Sequence, residues 1–198
     1  MKNNKFVLIG IIIILLIGGA YYSYDFLTEN LVQDEPSTQA DPSETDTEDS
    51  SEAAPGSTKI LARDFTVYDI DNNEVKLYDF TGQPIVINFW ASWCPPCRAE
   101  MDYFQEASDY YSDKGVKFLM LNSTDGTRET VETATSYFDE NSYTMDIYFD
   151  SDFDAAKKYD ARSLPTTFFI DSEGYIVNYH LGTTDKETLF ENIDYILN

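Results

Sequence analysis

Cysteine and histidine are nearly missing from this chain: 198 residues hold two cysteines, Cys94 and Cys97, and one histidine, His180. A structural zinc site normally takes four nitrogen or sulfur ligands, so a single cysteine pair with one distant histidine argues against it. A c-type haem attachment needs a histidine directly after the second cysteine, and Arg98 stands there. No metal or prosthetic group is expected. Basic residues are scarce as well, 13 against 36 acidic, for a formal net charge of -23. Such a chain repels phosphate backbones almost everywhere, which sets nucleic acid aside as a partner. It also disfavours tight docking on an anionic lipid surface, although it does not forbid a spanning segment. No internal repeat is visible. Aromatic residues, by contrast, make up 15% of the chain, ample for a packed core.

Lys and Arg are absent altogether from Phe6 to Thr58. Residues 1–5 carry Lys2 and Lys5, and Phe6 to Tyr22 follows without a charge. That run lies at the short end of what spans a bilayer as a helix, roughly 17–25 residues. Gly18-Gly19-Ala20 would suit a signal peptidase, which makes a cleaved signal peptide the competing reading. An uncleaved anchor over 6–22 is preferred, because the run is long for a signal core. It also ends in Tyr21, Tyr22 and Tyr24, side chains suited to a membrane interface. The positive-inside bias then keeps 1–5 in the cytoplasm and exports everything downstream. Residues 23–58, rich in Ser, Thr, Pro, Asp and Glu, hold too little apolar surface to offset chain entropy. They read as a disordered acidic linker, kept extended by its like charges.

Residues 59–198 form the expected folded domain, itself acidic with 26 acidic against 11 basic residues. Its apolar pattern switches between strand and helix periods. Pro84–Trp90 reads as a central strand buried on both faces, with further strands at 116–121, 145–149, 166–170 and 175–179. The last two are joined by a turn-like Asp171-Ser-Glu-Gly174. Helical stretches fall at 95–111, with Met101, Phe104, Ala107 and Tyr111 on one side, and at 127–141, 154–159 and 185–197. Strands alternating with helices predict an α/β fold, a sheet covered on both faces with the closing hairpin antiparallel.

Cys94 directly follows the central strand and Cys97 lies one helical turn later. As a purely structural staple, a disulfide closing so small a loop would constrain the unfolded chain little. A reversible dithiol/disulfide couple uses the spacing better. One thiolate attacks a partner's disulfide, and a neighbouring thiol must reach back to resolve the mixed disulfide. A helix N-terminus at Cys94 would point free N–H groups and the dipole's positive end at its sulfur, lowering its pKa below about 8.5. Pro95 suits the first helical position. Pro96 removes a further N–H, leaving the amides of Cys97 and Arg98 as the expected donors.

The stretch F-W-A-S-W-C-P-P-C, followed some way on by S-L-P-T-T-F-F-I-D, resembles the thioredoxin superfamily, and within it the membrane-anchored, extracytoplasmic TlpA/ResA-type thiol-disulfide oxidoreductases. The resemblance covers roughly 62–198. It implies a thioredoxin-like fold, with Cys94 as the exposed nucleophile and Cys97 as the more buried resolving thiol. It also implies a cis Leu164–Pro165 peptide facing the disulfide, where a client strand would pair near Leu164. Trp93 and Pro95 are expected to contact the client, while Trp90 packs around the site or in the core. Ordinary thioredoxins carry a buried aspartate where this sequence has Asn88. Glu100 matches a glutamate of the ResA-type branch and shares a helix face with Cys97. If partly buried it would have a raised pKa and trade protons with the resolving thiol; the alternative is an exposed first-turn glutamate favoured by the helix dipole. The stretch 122–150 resembles a helical insertion of this branch. The branch also implies reduction of exported protein disulfides, with apocytochrome c or methionine sulfoxide reductases as clients and a transmembrane thiol carrier as electron donor. A monomer is expected. Three rivals stand beside this: a disulfide-forming oxidant, a peroxiredoxin-type peroxidase, and a binding module with a static disulfide. The peroxidase would want a Pro- and Thr-bearing cysteine loop that is absent here. For His180 a loop or strand-end position without catalytic role is expected.

Overall fold

The computed structural model describes residues 60–198. The expected anchor at 6–22 and linker at 23–58 lie outside the described residues, as do residues 1–5. Among the described residues no helix is long and apolar enough to cross a membrane.

Eight strands form one sheet: β1 (Ile60–Leu61), β2 (Thr66–Tyr68), β3 (Glu74–Lys76), β4 (Ile85–Trp90), β5 (Lys117–Asn122), β6 (Ile147–Phe149), β7 (Thr166–Ile170) and β8 (Tyr175–Leu181). Among the described residues four α-helices accompany them: α1 (Pro95–Tyr111), α2 (Val131–Asn141), α3 (Asp154–Lys158) and α4 (Lys186–Leu197). The spatial order is β1-β8-β7-β4-β5-β6-β2-β3. β4, β5 and β6 run parallel, and β7 and β8 add antiparallel on the other side of β4. The sheet is therefore mixed, with helical crossovers on the parallel side and a hairpin on the other, as the alternation of periods predicts.

β4 is buried along its whole length, and its alternation assigns side chains to two cores. Val86 and Trp90 join the cluster of Met101 and Phe104 from α1, Phe138 from α2, and Leu189 and Ile193 from α4. Ile85, Ile87 and Phe89 join the opposite cluster with Phe65, Val67, Leu77 and Tyr159. Period-two alternation thus places Asn88 on the α1 side, between Val86 and Trp90. Trp90 is fully buried against Phe138 and Tyr137, at ring distances of 5.0 and 5.8 Å, in the core cluster that also contains Cys94 and Cys97.

Helix α1 occupies the predicted span. Pro95 and Pro96 open it where missing N–H groups cost nothing, and its inward stripe runs Cys97, Glu100, Met101, Phe104, Ala107, Tyr111. Helix α2 starts later than expected, at Val131 rather than Thr127. Thr130 caps it, accepting the Thr133 N–H at 3.1 Å, and residues 125–129 form a turn instead. Strands β1 to β3 were not expected from the sequence; each has only two or three residues, too few for a period to register.

Candidate active site

Cys94 caps α1 at the carboxyl end of β4 and is joined to Cys97 by a disulfide, with Cα atoms 5.3 Å apart. The Cys97 N–H points at the Cys94 sulfur at 3.3 Å, as expected of a helix N-terminus. The Arg98 N–H does not: it donates to the Cys94 carbonyl oxygen at 3.1 Å, which closes the first helical turn. Cys94 is not the exposed nucleophile that the resemblance implies: it is only 2% exposed, and Cys97 not at all. The turn from Ala91, closed by the Cys94 N–H on the Ala91 carbonyl at 3.2 Å, tucks the sulfur inward against its partner. Accessible surface next to the disulfide comes instead from Trp93, Pro95 and Pro96, all exposed.

Leu164–Pro165 is a cis peptide. Pro165 is buried, and its carbonyl accepts the Gly182 N–H at 2.9 Å. Leu164 packs on the cluster that contains both cysteines. A further tie runs from the Thr183 hydroxyl to the Pro96 carbonyl at 3.3 Å, bringing the segment after β8 against the start of α1. His180 lies within β8, with Nε2 3.1 Å from the carbonyl oxygen of Thr183, the residue whose hydroxyl meets Pro96.

Beneath the disulfide, Glu100 is fully buried. The exposed first-turn alternative is thereby excluded, since Glu100 lies on the inward stripe, one turn beyond Cys97. Its Oε1 accepts from Asn88 Nδ2 at 2.9 Å and its Oε2 from the Thr184 N–H at 2.7 Å. Asn88 also donates to Thr167 Oγ1 at 3.1 Å, as the β4–β7 register that pairs these two residues allows. Burial pushes the Glu100 carboxyl up from 4.5 to about 7, against the downward pull of Thr184 and Asn88. The group therefore exchanges its proton near neutrality. Asn88 Oδ1 has no hydrogen-bond partner.

A second buried carboxylate lies on the other flank and was not singled out from the sequence. Glu129, from the turn before α2, is fully buried. Its Oε1 accepts from the Ser92 N–H at 2.8 Å and from Asn122 Nδ2 at 2.6 Å, while its Oε2 accepts from the Ser92 hydroxyl at 2.7 Å. Next to it, the Arg128 guanidinium lies 3.6 Å over the Trp93 ring. The signal available in the sequence was Asp125-Gly126, a turn pair. Asp125 Oδ1 accepts the N–H groups of Thr127, Arg128 and Glu129 at 2.7, 2.7 and 2.9 Å, and its carboxyl is held down to about 2, chiefly by the Glu129 bond. Among the described residues no cluster of three or more His, Cys, Asp or Glu side chains is arranged to hold a metal ion.

A sequence profile described as the AhpC/TSA family matches residues 60–179. The thiol-disulfide oxidoreductase ResA of Bacillus thuringiensis subsp. konkukian is 33% identical over 130 residues, covering 66% of this chain and 73% of that protein. Among solved structures, a DsbE thiol:disulfide interchange protein from Chlorobium tepidum superposes with a TM-score of 0.64 at 28% identity, covering 71% of this chain and 97% of its own. StoA from Bacillus subtilis does so at 0.58 and 26%, covering 67% and 97%.

Proposed function

This chain belongs to the AhpC/TSA family and is a ResA-type thiol-disulfide oxidoreductase of the thioredoxin superfamily, and from that premise we propose that it reduces disulfides of exported proteins with the Cys94–Cys97 couple. The observation that carries the reading is the stack of three parts on α1: Cys94 at the N-terminus, Cys97 bonded to it, and buried Glu100 one turn below.

In the reduced protein the Cys94 thiolate, favoured by the Cys97 N–H and the helix terminus, attacks one sulfur of the client disulfide. A mixed disulfide forms, and the other client sulfur leaves as a thiolate and takes up a proton. The Cys97 thiolate then attacks the Cys94 sulfur, expelling the second client thiolate and closing the Cys94–Cys97 disulfide. Two electrons pass to the client. Glu100, titrating at about 7 one turn from Cys97, accepts the Cys97 proton as that thiol becomes a nucleophile. The client backbone lies along the chain near Leu164, with Trp93, Pro95 and Pro165 lining its path. A transmembrane thiol carrier returns two electrons to the disulfide. The domain works outside the cytoplasmic membrane, held by the 6–22 segment, as a monomer with no cofactor besides its own disulfide. Apocytochrome c and exported methionine sulfoxide reductases are the client classes to try first.

Replacing Cys94 with Ser is expected to abolish dithiol turnover, whereas replacing Cys97 with Ser should accumulate mixed disulfides, visible on a non-reducing gel. Failure to trap any client would remove the exchange mechanism. Direction is read from the reduction potential of the purified protein in thiol buffers. A value near −270 mV supports a reductase, and one near −120 mV would make the protein a disulfide donor instead.

A further inference from the structure

We infer that the turn 125–130 is a positioning device for the dithiol: Glu129 fixes the chain's path into Cys94, and Arg128 fixes the pose of Trp93 beside it. The inference rests on the exchange reading above and adds two residues that share no element with the cysteines.

Burying a carboxylate is costly unless its oxygens are fully bonded. Glu129 has no cation partner among the described residues. Three donors hold it instead, and two of them belong to Ser92, two residues before the nucleophile. The third, Asn122, ends β5, and the Ser123 N–H beside it donates to the Trp90 carbonyl at 2.9 Å. The Glu129 side chain thus joins the end of β5 to the turn into α1, beside the backbone bond that ties β5 to the end of β4. Ser92 and Trp93 are the two central residues of the turn closed by the Cys94 N–H on the Ala91 carbonyl, outside any strand or helix, and the Glu129 contacts add to that single turn bond in fixing their geometry. Asp125 organises the turn that delivers Glu129, bonding three successive N–H groups. Arg128, left exposed by that turn, covers one face of the ring of Trp93, a residue 38% exposed at the rim of the site. A cation over an indole face prefers one ring pose. That pose presents a fixed apolar edge to any client long enough to reach past the disulfide.

The geometry also sets which substitutions should matter. Glu129→Gln keeps every contact: its Oε1 accepts from Ser92 N–H and Asn122, and its Nε2 donates to the Ser92 hydroxyl. Glu129→Ala loses all three.

The test uses the reduced full-length protein in detergent and follows exchange with oxidised glutathione and with insulin. Glu129→Ala is expected to slow both reactions about tenfold, and Glu129→Gln to stay within about twofold of the unsubstituted protein. Arg128→Ala should lower the ratio of insulin to glutathione rates by about threefold. A purely structural role would lower stability but leave the exchange rates of the folded protein alone. The inference is overturned if Gln is as slow as Ala, which would make charge rather than geometry the agent. It is overturned equally if Ala exchanges at the unsubstituted rate, or if Arg128→Ala leaves the ratio unchanged. Should Glu129→Ala fail to fold, Ser92→Ala replaces it; that variant loses only the hydroxyl bond and should slow exchange about threefold, and an unchanged rate counts against the inference. An unsubstituted protein inert to both disulfides would sink the oxidoreductase mechanism itself, a result distinct from any of these.

Discussion

Two fully buried carboxylates serve the two flanks of one disulfide, and they are bonded differently. Glu100 follows Cys97 on α1 and accepts two hydrogen bonds, from Asn88 and from the Thr184 N–H. Glu129 reaches back to the residues before Cys94 and accepts three, two of them from a single residue of the chain it holds. Its third donor, Asn122, is a side chain at the end of a core strand. Glu100 faces a side-chain amide whose own oxygen has no partner. That amide can present either its NH2 or its oxygen, so the pocket is able to serve a charged or a protonated carboxyl. Both carboxylates also face one backbone N–H, which can only donate; the difference is that the amide on Glu129, Asn122, already has its oxygen accepting the Thr124 hydroxyl at 2.8 Å and is held in one orientation. Equal burial therefore supports two roles: a carboxyl whose partners can follow its proton suits proton exchange, and one gripped by a fixed donor suits geometry.

The largest expected break in this comparison is Glu129→Ala. It leaves the Ser92 N–H and the Asn122 amide buried without acceptors, at a cost of about 3–5 kcal/mol in chemical denaturation at pH 7. Glu129→Gln should recover most of that loss. If the two variants were equally destabilised, fixed geometry would not be what Glu129 supplies.

Glu100→Gln sharpens the other side through pH. The folded protein holds the Glu100 proton up to about 7, whereas the unfolded chain releases it near 4.5. Between those values the folded state binds more protons, so stability should fall as pH rises from about 4.5 to 7 and level off above. The size is about 3 kcal/mol for a fully expressed shift. Glu100→Gln imitates the protonated acid, with Asn88 free to turn its oxygen toward the new amide. Its denaturation midpoint should lack this slope, and it should exceed the unsubstituted protein's above pH 7. An unchanged slope would place the titration elsewhere.

How much of this was legible beforehand depends on the range over which each signal acts. Helix α1 could be bounded from sequence because Pro95 marks its start and the apolar stripe through Tyr111 marks its length. Strand β7 could be bounded because five apolar or β-branched residues follow Pro165. Glu100 was found through its spacing from Cys97 and a family resemblance, although its depth was understated. The spacing shows which face a residue shares, while the overlying Thr184 comes from a segment more than eighty residues away. Glu129 escaped because 127–141 reads as one amphipathic stretch, and a glutamate at its start resembles an ordinary first-turn acid. What separates it from the helix is local chemistry, Asp125 bonding three N–H groups and Thr130 capping at Val131. What buries it is tertiary, since Ser92 lies 37 positions earlier. The hairpin of β2 and β3 was missed for a simpler reason: three-residue strands carry no period.

Asp125 is a third carboxylate near the site and offers the smallest effect, because it is exposed and all its bonds, three from backbone N–H groups and one from the Thr127 hydroxyl, lie within its own turn. Its carboxyl is held at about 2, below its ordinary 3.8. A depressed value means that its contribution is present above the unfolded value and is lost as pH falls toward about 2. Asp125→Ala should therefore leave the global melting temperature nearly unchanged, while hydrogen exchange at the N–H groups of Thr127, Arg128 and Glu129 quickens. Asp125→Asn, whose amide oxygen can accept the same bonds, should protect them almost as well. If Asp125→Ala quickened exchange at the Ser92 N–H too, the turn and the Glu129 grip would open together as one unit. If Ser92 stayed protected, the grip on the chain entering Cys94 would reside in the Glu129 carboxylate and its Asn122 support alone. Either pattern locates the point from which the nucleophile's approach is held.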